Sequence, residues 1–341
     1  MTDSSEKTSA RPTLRTISKM TGFAVATVSR ALKDAPDIGV ETKARVRQVA
    51  KEIGYRPNRA GVRLRTGKTN VVALVLSAED HVMNHTAQLI YSISDTLKGS
   101  PYHLVVMPFA PTDPPMTPIE YIVETGSADG VIFNQVQPND PRAAHLLENN
   151  IPFATHGQTG LGERHPSYDF DNAAYACIAV DRLIELGRKH LYLVPPPLDQ
   201  NYAQNMVAGF QEQIARRGIR GTVSELIRND SPVALIEQQM TSVMRHEDRP
   251  DGLIFASSSS TMAGVAAAES LGLEIGRDFD VVSKDALTFL TLFRKEIVVI
   301  QEDVSKAGRY LAKALIDVIE GRDALSKNVL ERPSVTRITD K

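Results

Sequence analysis

Short apolar runs alternate with amphipathic segments along most of the chain. Residues 71–76 are an unbroken run of Val, Ala and Leu, which is typical of a strand buried on both faces. Residues 86–98 then have the apolar spacing of a helix, and this succession continues to about residue 156 and again from about 173 to 282. In the second series we expect strands at residues 190–194, 224–227, 252–256 and 280–282. The alternation predicts an α/β body with two doubly wound, parallel-sheet subdomains.

The N-terminal part of the chain follows a shorter, purely helical pattern. A helix is expected to begin after Thr13, a second at Val25, and a third over residues 40–53. Gly22 stands between the first two helices, where a turn can use its tolerance of positive φ. Two short helices joined by such a turn predict a helix-turn-helix, and its second helix has a suitable size for the major groove of DNA.

Charge separates the same two regions. Residues 1–70 contain 15 Lys and Arg against six Asp and Glu, whereas the other 271 residues contain 24 basic and 35 acidic side chains. A basic head on an acidic body is typical of a polyanion-binding module joined to a domain with another ligand. A solvated basic arm without a binding role is the alternative interpretation.

Composition narrows the class of protein. The 341 residues include one cysteine, so a disulfide framework and a Cys-rich zinc module are excluded. The sequence has no run of 18 apolar residues, and its polar N-terminus lacks the apolar segment of a signal peptide. We therefore expect a cytoplasmic protein with no membrane partner.

Three segments of the head resemble one known family. They are TLRTISKMTGFAVATVSR from Thr13 to Arg30, IGYRPN at residues 53–58, and RLRTGKT at residues 63–69. These runs resemble the lactose-repressor/galactose-repressor (LacI/GalR) family of transcriptional regulators, and the resemblance continues over nearly the whole chain. The runs YHLVVMP from Tyr102 and PFATHG from Pro152 look most like the α-glucoside/α-galactoside-responsive branch of that family.

The resemblance implies a division into domains. A helix-turn-helix DNA-binding domain would span residues 1–58, a hinge helix 59–68, and an effector-binding and dimerisation domain 69–341. The last would have the periplasmic-binding-protein-like fold. Its first subdomain would comprise about 69–170 and 300–330, and its second about 171–299 and 331–341.

By the same resemblance, the helix that begins at Val25 enters the major groove and Leu64 of the hinge inserts into the minor groove. The residues expected to contact DNA are Thr13, Val25, Ala26, Thr27, Ser29, Arg30, Thr42, Asn58, Arg59 and Leu64. Two head positions depart from the family. Ala24 replaces a serine that would cap the recognition helix. Ser18 replaces a small apolar residue and is expected to weaken helix–helix packing.

In the body, the resemblance implies a ligand cleft between the subdomains. Asp285 matches the family's acceptor for sugar hydroxyls, with a loop cap after a strand as the alternative role. Met206 stands where the family has an arginine, so we expect charged groups to be largely missing and neutral hydrogen-bonding groups to remain. The candidate effector-binding residues are His81, Asn84, Gln135, His156, Gln158, Tyr168, Phe170, Asn205, Met206, Ser259, Asp285 and Gln301.

Other combinations of reactive residues are weaker. His81 and His85 have the helical spacing of a metal pair, but the glutamate of the metalloprotease motif is missing between them. Asp169 and Asp171 could imitate the paired carboxylates of a glycosidase, but we interpret them as loop acids. We predict no catalytic residue, no metal and no cofactor.

These observations predict a sequence-specific, DNA-binding transcriptional repressor rather than an enzyme. We expect a homodimer, with a tetramer as an open alternative, that binds double-stranded operator DNA. Its operator affinity would be controlled by a small neutral sugar or glycoside of disaccharide size. The alternative function is a cytoplasmic sugar-handling enzyme or binding protein with a basic accessory arm.

Overall fold

A computed structural model describes residues 12–55, 63, 67–77, 83–110, 112–285, 290, 292, 294–322 and 328–333, the side chains of residues 83 and 84 excepted. The chain divides into two compact units, Met1–Thr69 and Asn70–Lys341. We call the first unit the head and the second the body.

The described head is helical, as its pattern predicts. Its helices are α1 (Leu14–Thr21), α2 (Val25–Leu32) and α3 (Val40–Glu52). Thr13 begins α1 through a capping box with Thr16, and Gly22 ends α1 with φ at 77°. The helices enclose a small apolar core of Ile17, Val28, Ala31, Val46, Val49 and Ala50.

The body contains two sheets whose described strand pairs are all parallel. The first sheet consists of β1 (Val71–Ser77), β2 (His103–Phe109), β3 (Gly130–Phe133), β4 (Phe153–His156), β5 (Ser167–Phe170) and β11 (Asn328–Glu331), in the order β11-β5-β4-β3-β1-β2. The second consists of β6 (His190–Val194), β7 (Arg220–Val223), β8 (Gly252–Phe255), β9 (Asp280–Asp285) and β10 (Val298–Gln301), in the order β10-β9-β8-β6-β7.

Helices follow the strands in both halves of the body. The first half has α4 (Met83–Leu97), α5 (Thr117–Thr125), α6 (Pro141–Glu148) and α11 (Val304–Ile319), and the second has α7 (Asn172–Glu185), α8 (Asn201–Arg217), α9 (Val233–Arg245) and α10 (Ser258–Glu269). None of the described helices combines the length and the apolar character needed to cross a bilayer.

Each sheet separates two apolar clusters, so both of its faces are buried. Leu74 and Val75 are neighbours in β1 but belong to different clusters. Leu253 and Ile254 of β8 divide in the same way in the second sheet. Because consecutive side chains of a strand point to opposite faces, the unbroken apolar runs are explained and the doubly wound prediction is confirmed.

Helices α7 and α8 approach each other closely at Gly209. A Cβ atom on this residue would lie 2.5 Å from the Ala173 carbonyl oxygen, which is too close for any side chain. The glycine therefore allows α8 to pack directly on the backbone of α7.

The structure corrects several strand assignments. The strand expected at residues 224–227 lies at Arg220–Val223, where Gly221 and Val223 pair in register with β6. Strands β5 and β11 were not predicted, because SYDF and NVLE lack an apolar run. Glu331 was assigned to the second subdomain, but it pairs with Phe170 of β5 and so ends a strand of the first sheet.

Candidate functional sites in the head and the body

Helix α2 presents an exposed surface at its first turn. Val25 is 40% exposed and Ala26 is exposed beside it, whereas Val28 turns into the core. Thr27 is half-buried. Ala24 offers no side-chain acceptor to the first N–H groups of the helix, which confirms the predicted loss of the cap. These N–H groups can therefore meet an acceptor from outside the head, such as a phosphate.

Ser18 has a role that the sequence does not predict. Its hydroxyl donates to the Phe23 carbonyl oxygen over 2.7 Å. The Gly22 N–H donates to the Ser18 carbonyl oxygen over 2.9 Å. The two bonds tie the end of α1 to the turn before α2. Ser18 therefore stabilises the turn, and its expected effect on helix–helix packing stays a prediction.

Acidic side chains pair with several basic groups of the head. Asp37 forms an ion pair with Arg30. Asp34 lies 3.1 Å from Lys43 Nζ and 2.8 Å from Arg47 Nη2. The hydrogen bond and charge of Lys43, followed by those of Arg47, lower the pKa of the Asp34 carboxyl. These pairs fix basic side chains of α2 and α3 on the loop that joins the two helices.

The other residues of the head that are predicted to contact DNA are partly described by the structure. Thr13 is exposed and Thr42 is half-buried near the start of α3. Ser29 is half-buried on α2 and Arg30 is exposed. Asn58, Arg59 and Leu64 lie outside the described residues, so their roles stay predictions.

The body has a cavity of about 240 Å³ at the carboxyl ends of strands from both sheets. This edge is where open parallel sheets bind ligands. Polar residues dominate its lining. The lining residues are His85, Asn134, Gln135, His156, Gly157, Asp169, Asn172, Pro197, Tyr202, Asn229, Asp230, Ala256, Ser257, Ser258, Ser259, Lys284, Asp285 and Glu302.

Glu302 is the centre of the charged part of this cavity. Its Oε2 atom lies 3.0 Å from Lys284 Nζ. Its Oε1 atom lies 3.5 Å from His85 Nε2 and 3.7 Å from His156 Nε2. Burial opposes ionisation of Glu302, but the Lys284 charge and the two imidazoles outweigh burial and hold the pKa of this carboxyl well below its usual range. Lys284 also donates to Asn172 Oδ1 over 3.1 Å, so the pair is fixed from both sides.

Two aspartates add acceptors to the cavity. Asp169 is 5% exposed in β5, and burial raises the pKa of its carboxyl to about 6. It is therefore a buried strand residue and not the loop acid we expected. Asp285 accepts from the Ser258 hydroxyl over 2.7 Å and from the Leu290 N–H over 3.4 Å. Asp285 is thus held by Ser258 and Leu290 and lines the cavity at the same time.

A buried ion pair supports one side of the cavity. Arg142 donates to both carboxylate oxygens of Asp140, over 3.0 and 2.7 Å, and to the Gln135 carbonyl oxygen over 2.9 Å. Gln135 has φ at 52°, a conformation that non-glycine residues rarely adopt. Gly157 has φ at 113°, and a Cβ there would lie 2.6 Å from Val136 Cγ2. Arg142 and Gly157 therefore permit the backbone path that places Gln135 and His156 at the cavity.

Both parts of the chain match known family models. Residues 13–58 match the model for bacterial regulatory proteins of the lacI family. Residues 180–339 match the model for a periplasmic binding protein-like domain. Together the matches cover more than half of the chain, in the order that the resemblance predicts. The chain belongs to the LacI/GalR family.

Other members of the LacI/GalR family align with almost the whole chain. The HTH-type transcriptional regulator AglR of Rhizobium meliloti (strain 1021) is 28% identical over 314 residues, which are 89% of this chain and 86% of AglR. The HTH-type transcriptional regulator RafR of Escherichia coli is 27% identical over 327 residues, which are 94% of this chain and 96% of RafR. Such relatives are named as transcriptional regulators, which agrees with the predicted class of DNA-binding regulator.

Solved structures of the family share the fold. The lac repressor dimer bound to operator and the anti-inducer ONPF has a TM-score of 0.83 at 19% identity and covers 97% of this chain and 98% of its own. The complex of the transcriptional regulator CelR with cellobiose has a TM-score of 0.69 at 22% identity and covers 97% of this chain and 100% of its own. These similarities confirm the predicted fold class.

The cleft of this LacI/GalR-family regulator contains some of the predicted effector residues and not others. Those that line the cavity are Gln135, His156, Ser259 and Asp285. Those that lie elsewhere in the described body are Gln158, Tyr168, Phe170, Asn205, Met206 and Gln301. His81 and the side chain of Asn84 lie outside the described residues.

Packing explains why several predicted residues do not reach the cavity. Met206 is 0% exposed and Phe170 is 3% exposed, and both belong to an apolar cluster of the second sheet. The Tyr168 hydroxyl donates to Glu331 Oε2 over 2.8 Å instead of facing the cleft. The expectation that Met206 and Phe170 offer an apolar surface to the ligand is therefore corrected. Tyr202 and Pro197 are among the residues that offer such a surface.

Most of the charge in the cleft is not predicted from the sequence. Lys284, Glu302 and Asp169 line the cavity, so the expectation that charged groups are largely missing is wrong. Their position along the chain could have indicated them. Lys284 and Glu302 stand at the ends of β9 and β10, which are neighbouring parallel strands. His85 was considered only with His81, whereas the structure brings it to His156.

Proposed function

We propose that this regulator is a sequence-specific transcriptional repressor that acts as a cytoplasmic homodimer. Two heads would bind the half-sites of a pseudo-palindromic operator. A small neutral sugar or glycoside would bind in the cleft of the body and control operator affinity. The observation that carries the proposal is the presence, in one chain, of a helix-turn-helix with an exposed first turn of α2 and a polar cavity at the strand ends of the body.

The surface of the head supports binding to the major groove. Val25 and Ala26 present apolar groups, which suit contact with a thymine methyl. Arg30 and the excess of basic residues suit phosphate oxygens, which position a protein on DNA without specifying sequence. Leu64 is proposed as the apolar wedge of the hinge in the minor groove.

The cavity supports a hydroxyl-rich ligand. A hydroxyl both donates and accepts, so it can pair with the carboxylates of Asp169 and Asp285 and with the amides of Asn134 and Asn229. Each buried polar group that a ligand left unpaired would cost about 1–3 kcal/mol. The Lys284 ammonium is already paired with a carboxylate, which disfavours an anionic ligand such as a phosphorylated sugar.

The placement of the lining residues supports a ligand larger than one sugar ring. Gln135 and His156 belong to the first half of the body, and Ser259 and Asp285 belong to the second. A ligand that pairs with both sets spans the cleft. The CelR structure is a complex with cellobiose, which is a disaccharide. The resemblance to the α-glucoside/α-galactoside-responsive branch supports an effector of the same size and chemical class.

Control of the operator follows from differential binding. An effector shifts the arrangement of the two subdomains only by as much as it prefers one arrangement over the other. The shift would reach DNA through the hinge at residues 59–68. The same effector would therefore change operator affinity without touching the head.

The test begins with a thermal-shift screen of mono- and disaccharides, and then measures operator release by the best ligand. Asp285→Ala is expected to abolish release while operator binding remains, because an acceptor of the cavity is lost. Asp285→Asn keeps one oxygen that can accept from the Ser258 hydroxyl, so the local fold is expected to remain. A loss of effector binding in this variant is then an effect on the ligand and not on folding. Asp248→Ala, which changes an exposed aspartate that does not line the cavity, is the control.

Two results would contradict the assignment. One is wild-type affinity for the effector in Asp285→Ala, measured by calorimetry. The other is a phosphorylated sugar as the best ligand in the screen.

A further inference from the structure

Three side chains that commonly ligate metals meet on one wall of the cleft. They are the imidazoles of His85 and His156 and the carboxylate of Glu302, and their candidate ligand atoms all lie within 4.8 Å of one another. His85 comes from α4, His156 ends β4, and Glu302 follows β10 at the crossover into α11. Three elements that are far apart in sequence therefore converge on one point.

The spacing of these atoms is too long for good hydrogen bonds and suits a shared ion. Hydrogen bonds from a nitrogen to a carboxylate oxygen are normally about 2.7–3.2 Å long. Here the Nε2 atoms of His85 and His156 lie 3.5 and 3.7 Å from Glu302 Oε1. Zn²⁺ binds imidazole nitrogen and carboxylate oxygen at about 2.0–2.2 Å, and tetrahedral geometry then puts neighbouring ligand atoms roughly 3.3–3.6 Å apart. The two separations from Glu302 Oε1 are close to that value, and the third pair of candidate ligand atoms lies within 4.8 Å.

The two imidazoles and Lys284 approach different oxygen atoms of the Glu302 carboxylate. The two imidazole rings are stacked with centroids 5.2 Å apart and planes 18° apart, and both Nε2 atoms approach the same carboxylate oxygen. The other oxygen, Oε2, lies 3.0 Å from Lys284 Nζ. The Lys284 charge repels a cation and so lowers its affinity.

We propose that His85, His156 and Glu302 form a binding site for one divalent transition-metal ion, with Zn²⁺ as the best-matched ion. Imidazole nitrogens and a carboxylate oxygen are a common ligand set for Zn²⁺. All three residues line the cavity, so the remaining coordination position faces the cleft and a ligand there can contact the ion. The site does not depend on the proposed repressor function. It differs from the His81–His85 pair considered in the sequence, because its other members are His156 at the end of β4 and Glu302 just after β10.

The test uses the full chain after removal of metals with a chelator. Calorimetric titration with Zn²⁺ is expected to show one ion per chain. Co²⁺, used as a spectroscopic probe, is expected to give the visible absorption of a four-coordinate site. His156→Ala and Glu302→Gln are expected to weaken Zn²⁺ binding by more than the roughly 10- to 100-fold that outer-shell changes cause. His145→Ala, which changes a histidine of α6 outside the cavity, is the matched control and is expected to bind like the wild type.

A fourth variant separates a metal site from a folding defect. Lys284→Met removes the neighbouring positive charge, so it is expected to tighten Zn²⁺ binding, which a misfolded chain cannot imitate. The proposal is overturned if the wild type binds no stoichiometric Zn²⁺, or if His156→Ala binds it as tightly as the wild type. Weaker binding by a folded Lys284→Met chain would also overturn it, because the loss of a repelling charge beside Glu302 must favour a cation bound there.

Discussion

The head and the cleft of the body both contain many charges, but in opposite surroundings. The Arg30–Asp37 pair of the head has side chains 58% and 45% exposed, whereas the Lys284–Glu302 pair of the cleft has side chains 12% and 7% exposed. An exposed ion pair contributes about 0–1 kcal/mol. A buried pair loses much more hydration and persists only with good geometry and further hydrogen bonds, such as the one from Lys284 to Asn172.

The contrast shows that charge serves two purposes in one chain. In the head the net excess of basic residues matters, because an exposed charge acts on a polyanion through water. In the cleft the net charge matters little, because each group has a fixed partner and the pairs shape the cavity. Counting charged residues is therefore informative for the head and misleading for the cleft.

The largest expected effect is the loss of the head. A chain that begins at Lys68 is expected to have no specific operator binding, because the helix-turn-helix is missing. In the full chain, the logarithm of the affinity is expected to fall by about 0.9 per neutralised phosphate for each unit of log salt concentration. Fluorescence anisotropy at several salt concentrations, on duplexes selected from a random library, measures both. Specific binding by the shortened chain would show that the body recognises the operator without the head.

The next effect tests the difference between buried and exposed pairs within the body. Arg142→Met is expected to lower the free energy of unfolding by about 3–5 kcal/mol, because Asp140 is left as a buried, unpaired charge. Arg216→Met breaks the exposed pair with Glu212 and is expected to change it by less than about 1 kcal/mol. Urea denaturation measures both variants. Equal effects would show that burial does not separate the two kinds of pair.

A third effect depends on pH. Because the pKa of Asp169 is raised to about 6 in the folded body, its contribution to stability is complete below about pH 4 and is lost as the pH rises through 6. Asp169→Asn cannot ionise, so at pH 8 it is expected to be more stable than the wild type by up to about 3 kcal/mol. At pH 4 the two are expected to be similar. Thermal denaturation across this range checks the difference, and Asp113→Asn on the surface controls for the altered charge. A stability difference that is independent of pH would contradict the assignment.

The smallest effect concerns the start of α2. Ala24→Ser restores an N-cap acceptor and is expected to stabilise the helix by about 1 kcal/mol. Hydrogen exchange of the Thr27 amide is then expected to slow by about fivefold. Ala44→Ser, on the exposed part of α3, adds the same hydroxyl without a cap and is expected to destabilise slightly. Faster exchange of Thr27 in Ala24→Ser would mean that the first turn of α2 is held by something other than its cap.

Local pattern was enough to describe the head and the architecture of the body. The cap at Thr13, the turn at Gly22 and the missing cap at Ala24 are properties of a few adjacent residues, and the structure confirms them. Apolar runs alternating with helical spacing were likewise sufficient for two parallel sheets. These features depend on interactions within about one turn or one strand, so they can be read along the chain.

Packing between distant segments decided the contents of the cleft. Met206 matches a cleft position of the family by resemblance, but the inner face of α8 buries it against the second sheet. Lys284 and Glu302 carried no motif, and only the pairing of β9 with β10 and the crossover into α11 brings them to His85 and His156. The physical reason is that burial, pairing and the pKa of a charged side chain depend on neighbours far away in sequence, and only the packed tertiary structure supplies those neighbours.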